Sequence, residues 1–246
     1  PVPTEIKNRM EKFGYKVSIK LVKASDYGVP QNRYRVLIVG VIADKGEFDF
    51  SLMDKLVKEQ NIPSVANGTH GPLLLGTILK DIDGLADSEF WEYSKGTQQT
   101  IDLIGGCEHG AEAIKLFGVD VNPDELPDIV YEGRSWKNIP PEKLSPRFRR
   151  IYDDPQKYHS PKFFRRFAFG EINGTITASA QPENCGITHP IYPRRYTVRE
   201  IARIQSFPDN YTFSAIPLQS RYKVIGNAVP PILGWVIAKS LLEHLK

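Results

Sequence analysis

The stretch DYGVPQNRYRVLIVG, Asp26 to Gly40, decides the interpretation of this chain, because its second half is an apolar strand preceded by regularly spaced polar residues. Gln31, Arg33 and Arg35 occupy alternate positions, and alternate residues of a strand share one face. Two guanidinium groups and an amide on one side of a strand form a donor array that suits phosphate or the edge of a base. The spacing therefore indicates a nucleic-acid site. The alternative is an edge strand whose arginines reach solvent or pair with carboxylates.

The elements around this stretch are those of an α/β fold. Residues 3–15, PTEIKNRMEKFGY, predict a helix that ends at Gly14. Alternating apolar residues predict strands at 17–22 and 36–42. The second strand is apolar on both faces, as in a sheet that is covered on both sides. These elements are too few to form such a sheet, so we interpret them as the closing strands and helices of a larger doubly wound sheet.

Two further segments near the other end of the chain carry recognisable patterns. The first, RRYTVREIARIQSFPDNYTF at 194–213, contains a capping box at Thr197 and Glu200 that predicts the start of a helix. The second, QSRYKVIGNAVPPILGWVIAKSL at 219–241, contains a Gly-Asn pair that we interpret as a turn leading into a final helix. The unpaired N–H groups of a helix N-terminus favour an anion.

In this order, the three segments resemble the last three conserved blocks of the cytosine-5 DNA methyltransferases. The resemblance covers roughly the first 45 and the last 55 residues. It implies three regions: 1–48, closing strands and helix of the catalytic α/β domain; 49–193, a smaller mixed, β-containing target-recognition domain; and 194–246, a hinge helix and a final helix that returns to the catalytic domain. Within 49–193, SLMDKLVKEQ and GAEAIKLFG predict helices.

The resemblance implies supporting catalytic roles for the first array. Methylation at carbon 5 of cytosine requires that the base be flipped out and that a cysteine thiolate add to carbon 6. Arg35 is expected to contact the carbonyl oxygen of the flipped cytosine, and Arg33 to brace the nucleophile loop or a nearby phosphate. Gln31 is expected to contact the same loop or the gap that the base leaves.

The resemblance also implies binding roles further along the chain. Asn227, Ala228 and Val229 are expected to complete the pocket for S-adenosyl-L-methionine. Thr177, in the predicted β segment GTITASA, is expected to hold double-stranded DNA beside the target base, although the leucine that usually follows this threonine is an alanine here. A threonine that simply favours its strand is the alternative. Arg199 and Arg203, four residues apart on one helix face, are expected to brace the recognition domain.

The earlier blocks of the family are missing from this sequence: a Gly-rich turn, a Pro-Cys dipeptide that supplies the nucleophile, and Glu-Asn-Val. Cys107 and Cys185 follow Gly106 and Asn184, and neither is expected to be catalytic. We therefore expect a C-terminal part whose N-terminal catalytic half is its partner, in a restriction-modification setting. Two alternatives are the recognition subunit of a split enzyme and a DNA-binding module without catalysis. A tRNA substrate ranks below DNA.

Composition sets broad limits. The apolar and charged fractions, 41% and 25%, are those of an ordinary globular protein. The apolar run VLIVGVIA, 36–43, is shorter than the roughly 20 residues of a membrane span. Two distant cysteines predict neither a disulfide framework nor a metal site. We expect a cytoplasmic protein with no membrane segment.

Charge is unevenly distributed along the chain. Residues 51–133 contain 15 acidic and 5 basic side chains, whereas residues 134–166 contain 3 acidic and 10 basic ones. The basic stretch also contains several aromatic residues, a mixture that suits phosphate neutralisation with aromatic anchoring. Arg165 and Arg166 at its end are our candidate DNA contacts. A solvated charged face is the alternative.

Overall fold

The structure is a computed structural model that describes residues 2–107, 133–154, 156 and 163–246. It contains both helices and strands, as an α/β fold requires. The helices are α1 Val2–Lys12, α2 Ser51–Glu59, α3 Leu75–Leu79, α4 Lys95–Ile104, α5 Pro146–Asp153, α6 Val198–Ile204, α7 Leu218–Asn227 and α8 Pro231–Leu245. The strands are β1 Tyr15–Lys23, β2 Gln31–Asn32, β3 Tyr34–Ile42 and β4 Asn173–Gly174.

The strands form two small sheets. β1 and β3 pair antiparallel, with Leu21 opposite Val36, and the two-residue strands β2 and β4 pair parallel. α1 covers one end of the β1–β3 sheet, where Met10 packs on Gly40. The other end of that face is open within the described residues. There the exposed fractions of Leu21 and Val36 are 62% and 48%, so the expected cover on both sides of β3 is not found.

The opposite face of the β1–β3 sheet packs on α2 and α8. Val22 and Val41 of the sheet share a buried cluster with Met53 of α2 and with Leu233 and Val236 of α8. α2 therefore packs with the two end segments of the chain, although the predicted domain boundary at residue 49 assigned it to the middle region.

A second core unites the middle region with the hinge helix. Buried residues from α3, from 167–187 and from α6 and α7 pack together, with Tyr196, Ile201 and Tyr222 among the fully buried ones. A third cluster, formed mainly by aromatic side chains, lies beside α4 and α5. Its members are Ile101, Ile104, Trp136, Ile139, Phe148, Phe163 and Phe164.

Several predicted elements are confirmed, and others differ. The helices expected at 3–15, at SLMDKLVKEQ and after Thr197 are present, and both halves of the capping box form. The segment GTITASA is mostly not a strand, because β4 ends at Gly174 and a turn follows at 177–180. α7 was not predicted. The helix expected in GAEAIKLFG lies outside the described residues.

Residues 218–245 form, in the described part of the chain, the one stretch long and apolar enough to cross a membrane by composition. The structure divides it into α7 and α8, separated by Ala228–Pro230. α8 packs against α2 and buries Leu233 and Val236, so its apolar side has a place in the core.

Candidate functional site at the junction of three segments

Arg33 lies at the point where the predicted segments meet. Its guanidinium donates from Nη1 to the carbonyl oxygen of Ile176 at 2.9 Å and from Nη2 to that of Gly226 at 3.1 Å. Only 5% of the residue is exposed. Burial, and then the charge of Arg35, lower the pKa of Arg33 to about 10, so it is charged at neutral pH. Arg33 therefore joins the first segment to the middle region and to α7.

The side-chain amides of Gln31 and Gln205 extend this junction. Gln205 donates from Nε2 to the carbonyl oxygens of Ile225 and Ala228, each at 2.9 Å, and accepts from Gln31 Nε2 at 2.6 Å. The Oε1 atom of Gln31 in turn accepts from the backbone N–H of Ile176 at 3.0 Å.

The orientation of both amides follows from these partners. Two carbonyl oxygens require the NH2 group of Gln205, which leaves its oxygen for the NH2 group of Gln31. Sequence reasoning missed Gln205. Its signal was a polar residue among the apolar positions of IARIQSF, between two inward-facing isoleucines and Phe207.

Arg35 differs from the other two members of the array. The strand is interrupted at Arg33, so Gln31 lies in β2 and Arg35 in β3. Arg35 is exposed, and its one side-chain hydrogen bond among the described residues is to the carbonyl oxygen of Tyr34. Gln31 and Arg33 thus use their donors inside the protein, whereas most donors of the Arg35 guanidinium have no partner among the described residues.

The proposed cofactor residues lie at the end of a helix and not before one. Asn227 is the last residue of α7, and three residues separate it from α8, so the predicted turn into a helix N-terminus is wrong. The first backbone N–H after Pro230 and Pro231, that of Ile232 in α8, donates to Ser206 Oγ at 3.3 Å. Val229 is exposed, and so is the side chain of Asn227, which makes no hydrogen bond to any described residue. A free carboxamide at this place fits a polar ligand.

Thr177 lies directly against α7. A Cβ atom placed on Gly226 would come within 2.6 Å of the carbonyl carbon and oxygen of Thr177 and within 2.7 Å of the nitrogen of Ala178. Only glycine permits this approach of two backbones. The structure thereby brings Thr177, Arg33 and Gly226 together, although 193 positions separate Arg33 from Gly226.

Arg165 and Arg166 have different environments. Arg165 is partly exposed, pairs with Glu171 and lies 4.8 Å from the ring centre of Phe167. Arg166 is fully buried and donates to the carbonyl oxygens of Gly105, His189 and Tyr192. The prediction that Arg166 contacts DNA is therefore wrong for this structure, because its guanidinium serves the interior.

The aromatic residues of the basic stretch are also mostly interior. Phe148, Phe163 and Phe164 belong to the third core cluster and are buried. Tyr152 is exposed and lies 5.6 Å from the guanidinium of Arg149. Tyr158 and Lys162 lie outside the described residues. In the described part, the aromatic side chains thus support the fold, while the arginines of α5 remain at the surface.

Arg199 and Arg203 brace α6 against the segment before α4. Arg199 is fully buried and pairs with Asp87 at 3.3 Å. Arg203 donates to the carbonyl oxygens of Ile78, Lys80 and Asp81. Asp87 also pairs with Arg221 of α7 at 3.2 Å, so one carboxylate joins three parts of the chain.

Neither cysteine has the surroundings of a nucleophile. Cys107 and Cys185 are both buried, and burial raises the pKa of the Cys107 thiol. A thiol with a raised pKa is mostly protonated at neutral pH and is a poor nucleophile.

Comparison with known proteins agrees with this geometry. The profile of the C-5 cytosine-specific DNA methylase family matches residues 2–243, and the chain belongs to that family. It is 25% identical to the type II methyltransferase M.DdeI of Desulfomicrobium norvegicum, over 96% of this chain and 56% of that protein. It is 31% identical to the type II methyltransferase M.Sau96I of Staphylococcus aureus, over 95% of this chain and 45% of that protein.

The chain thus spans about half the length of the curated relatives it matches. Among solved structures, that of the Dnmt2 methyltransferase from S. pombe aligns with 99% of this chain and 62% of its own, with a TM-score of 0.51 and 12% identity. At that identity the similarity concerns the fold alone. It supports a methyltransferase-like α/β architecture.

Proposed function

We propose that this chain is the C-terminal part of a DNA cytosine-5 methyltransferase, which uses S-adenosyl-L-methionine and works in a restriction-modification setting in the cytoplasm. The observation that carries the proposal is the junction at Arg33. There the first segment, the residues around Thr177 and the end of α7 meet through Gln31, Arg33 and Gln205, while Arg35 stays exposed. The exposed guanidinium of Arg35, next to this junction in the chain, supports a base-binding role beside a DNA-binding region.

In this proposal Arg35 binds the carbonyl oxygen of the flipped cytosine and offsets the negative charge that develops there. Arg33 and Gln31 act indirectly, because both are already bonded inside the protein. Arg33 donates to the carbonyl oxygens of Ile176 and Gly226, and Gln31 accepts from the N–H of Ile176 and donates to Gln205. Thr177 contacts DNA beside the target base. Arg165 supplies a phosphate contact when the duplex competes with Glu171 for its guanidinium.

Asn227, Ala228 and Val229 hold part of the cofactor, which supplies the transferable methyl group when bound. The exposed carboxamide of Asn227 is suited to the polar end of that molecule. The contribution of Ala228 to the cofactor site is the fixed position of its backbone, since Gln205 donates to its carbonyl oxygen. In this proposal, the buried junction holds the cofactor residues next to the segment that carries Arg35, since Arg33 bonds Gly226 and Gln205 bonds Ala228.

The N-terminal catalytic half, as part of the same protein or as a separate subunit, is the proposed partner, and it would bring the nucleophilic cysteine. The open face of β1 and β3, with Leu21 and Val36 exposed, supports this proposal. Apolar patches of this kind mark surfaces that bind another protein segment. In this proposal the N-terminal half covers that face, and its own strands continue the sheet at an edge of the β1–β3 pair. A DNA-binding module without catalysis is the alternative from a different functional class.

Complementation tests the proposal. The chain is mixed with the N-terminal half translated from the upstream reading frame, and transfer of a labelled methyl group to duplex DNA is measured. We expect transfer only when both parts are present. Methyl transfer to tRNA but not to DNA would redirect the proposal to RNA. DNA binding without any transfer would favour the non-catalytic module.

Arg35→Lys sharpens this test in the same assay. The lysine keeps the positive charge but loses the fork of donors, so we expect methyl transfer to fall about 10- to 100-fold. Arg9→Lys on the exposed side of α1 is the matched control and should leave the rate unchanged. Equal rates for Arg35→Lys and the unaltered chain would contradict the role of Arg35.

A further inference from the structure

A small polar cluster stands beside the junction. Its members are Thr177, Ser179 and Asn184. The Oγ1 atom of Thr177 lies 3.0 Å from Ser179 Oγ and 3.1 Å from Asn184 Oδ1, and Ser179 Oγ lies 3.0 Å from the same Asn184 oxygen. Ser179 and Asn184 are exposed, and Thr177 is half-buried. Three uncharged polar groups thus meet at one point of the surface.

The backbone beneath this cluster is fixed at its first end. Both backbone polar groups of Ile176 are held, because Gln31 accepts from its N–H and Arg33 donates to its carbonyl oxygen. The next peptide, between Thr177 and Ala178, lies against Gly226 at a distance that no side chain would allow. The start of the turn is therefore set by buried contacts.

The other end of the turn is held by Arg195. Its guanidinium donates from Nε to the carbonyl oxygen of Ala180 at 2.9 Å and from Nη2 to Gln181 Oε1 at 3.1 Å. The same guanidinium lies between the rings of Trp91 and Tyr93, 4.3 Å and 4.2 Å from their centres. This packing leaves Arg195 little freedom to move, and so fixes the end of the turn.

The turn is thus held by two buried cations. Arg33 and Arg195 are both buried, and neither pairs with a carboxylate among the residues that the structure describes. Burial lowers the pKa of each. Removing a charge from water is costly unless hydrogen bonds compensate, and here carbonyl oxygens at both ends of the turn and in neighbouring segments provide those bonds. Such an arrangement preorganises the turn and the three side chains that it presents.

The hydroxyl groups of Thr177 and Ser179 are able to donate hydrogen bonds to a group outside the cluster. When the oxygen of Asn184 faces the two hydroxyls, both hydroxyls donate to it. When the amide is rotated by half a turn, its NH2 group donates to the hydroxyl oxygens instead, and both O–H groups point outward. The two orientations have the same shape, so an incoming acceptor selects the second one.

We propose that Thr177, Ser179 and Asn184 form a contact for a phosphodiester oxygen of the DNA backbone, with Ser179 and Asn184 as recognition residues in their own right. This inference rests on the proposed function and extends it beyond Thr177. The cluster carries no charge. It therefore fixes the register of the duplex by short hydrogen bonds and adds nothing to the counterion release that makes DNA binding depend on salt.

The test measures binding of the whole chain to a fluorescent duplex of random sequence, by anisotropy, over a series of salt concentrations. Ser179→Ala and Asn184→Ala should each lower the affinity about 3- to 10-fold, the loss of one or two hydrogen bonds. The slope of log affinity against log salt should stay unchanged. Asn184→Asp should lower affinity further, and that deficit should shrink as salt screens the added charge.

Ser88→Ala and Asn67→Ala are the matched controls, since each removes one exposed hydroxyl or amide elsewhere on the chain. They should bind as the unaltered chain does. Normal binding by all four alanine variants would overturn this inference and leave the proposed function standing, as would a changed salt slope for Ser179→Ala or Asn184→Ala. Failure of the unaltered chain to bind any duplex would count against both.

Discussion

His189 is a buried imidazole that the fold keeps neutral. Its Nδ1 accepts from the backbone N–H groups of Ile191 and Tyr192, each at 3.2 Å, so this nitrogen cannot carry a proton in the folded state. Burial first, and then the charges of Arg194 and Arg166, hold the pKa of His189 well below its ordinary value of 6.5. The carboxylate of Glu200, 3.8 Å from Nε2, does not reverse this direction.

The stability of the protein should therefore fall as the pH drops below about 6.5. The unfolded chain then binds a proton on this histidine that the folded chain excludes, at a cost of up to about 1.4 kcal/mol per pH unit. His189→Asn keeps an acceptor near the position of Nδ1 and does not titrate. Urea unfolding between pH 7.5 and 5.5 should show a flatter pH dependence for this variant. His70→Asn, at an exposed histidine, is the control, and parallel curves for all three proteins would contradict the assignment.

The sequence indicated some of the side chains at the junction and gave no indication of others. Alternation singled out Gln31, Arg33 and Arg35, but it could not show that the first two are buried. An arginine that binds carbonyl oxygens and one that binds phosphate oxygens look the same in a sequence, and for that reason Arg166 was assigned to DNA. The sequence around Gln205 shows that a polar residue lies among apolar ones, but it does not show the three partners of that side chain, since they come from other segments.

At the scale of elements, the contact between α7 and the turn after β4 depends on one missing side chain. Gly226 lies one residue before the end of α7, where alanine would favour the helix by roughly 1 kcal/mol. The Cβ would, however, meet backbone atoms of Thr177 and Ala178, which cannot rotate away as a side chain can. The steric cost should outweigh the gain in helix propensity.

Gly226→Ala should therefore lower the free energy of unfolding by about 1–3 kcal/mol. Gly234→Ala in α8 is a close control, because the nearest atom to its Cβ is a methyl group of Val229 at 3.8 Å, an ordinary contact. That variant should be neutral or more stable by up to about 1 kcal/mol. Urea unfolding of both variants measures the difference. Equal changes in the free energy of unfolding for the two variants would mean that the contact of α7 with Thr177 accommodates a Cβ at position 226 without steric cost.

Elements with local signals were the ones that the sequence predicted. The helix after Thr197 has a capping box, and α2 has a regular apolar stripe, so their starts could be located. β4 and the turn after it have no such signal, since their geometry depends on Arg33, Arg195 and Gly226. α7 was overlooked because its polar residues gave no clear period.

At the scale of the whole molecule, the open face of β1 and β3 is the surface that the proposed N-terminal half would cover. Leu21→Glu places a charge in that face. We expect the stability of this chain alone to change by less than about 0.5 kcal/mol, because the position is exposed. Association with the N-terminal half should weaken, since the charge would have to be buried there.

Sedimentation of the mixed halves measures this association, and methyl transfer reports its consequence. Leu103→Glu, an exposed leucine of α4 in another part of the chain, is the matched control and should associate normally. Equal association of both variants would place the interface elsewhere.

Four buried or partly buried arginines share a bonding pattern that affects how the sequence of this protein can change. Arg33, Arg166, Arg195 and Arg203 donate mainly to main-chain carbonyl oxygens. Every residue type supplies the same carbonyl oxygen, so the side chains of the partner residues can change while these contacts persist. Under the proposed function, a change of DNA target would then require only the replacement of surface residues of the middle region. The scaffold that joins this region to the rest of the protein would not have to be rebuilt.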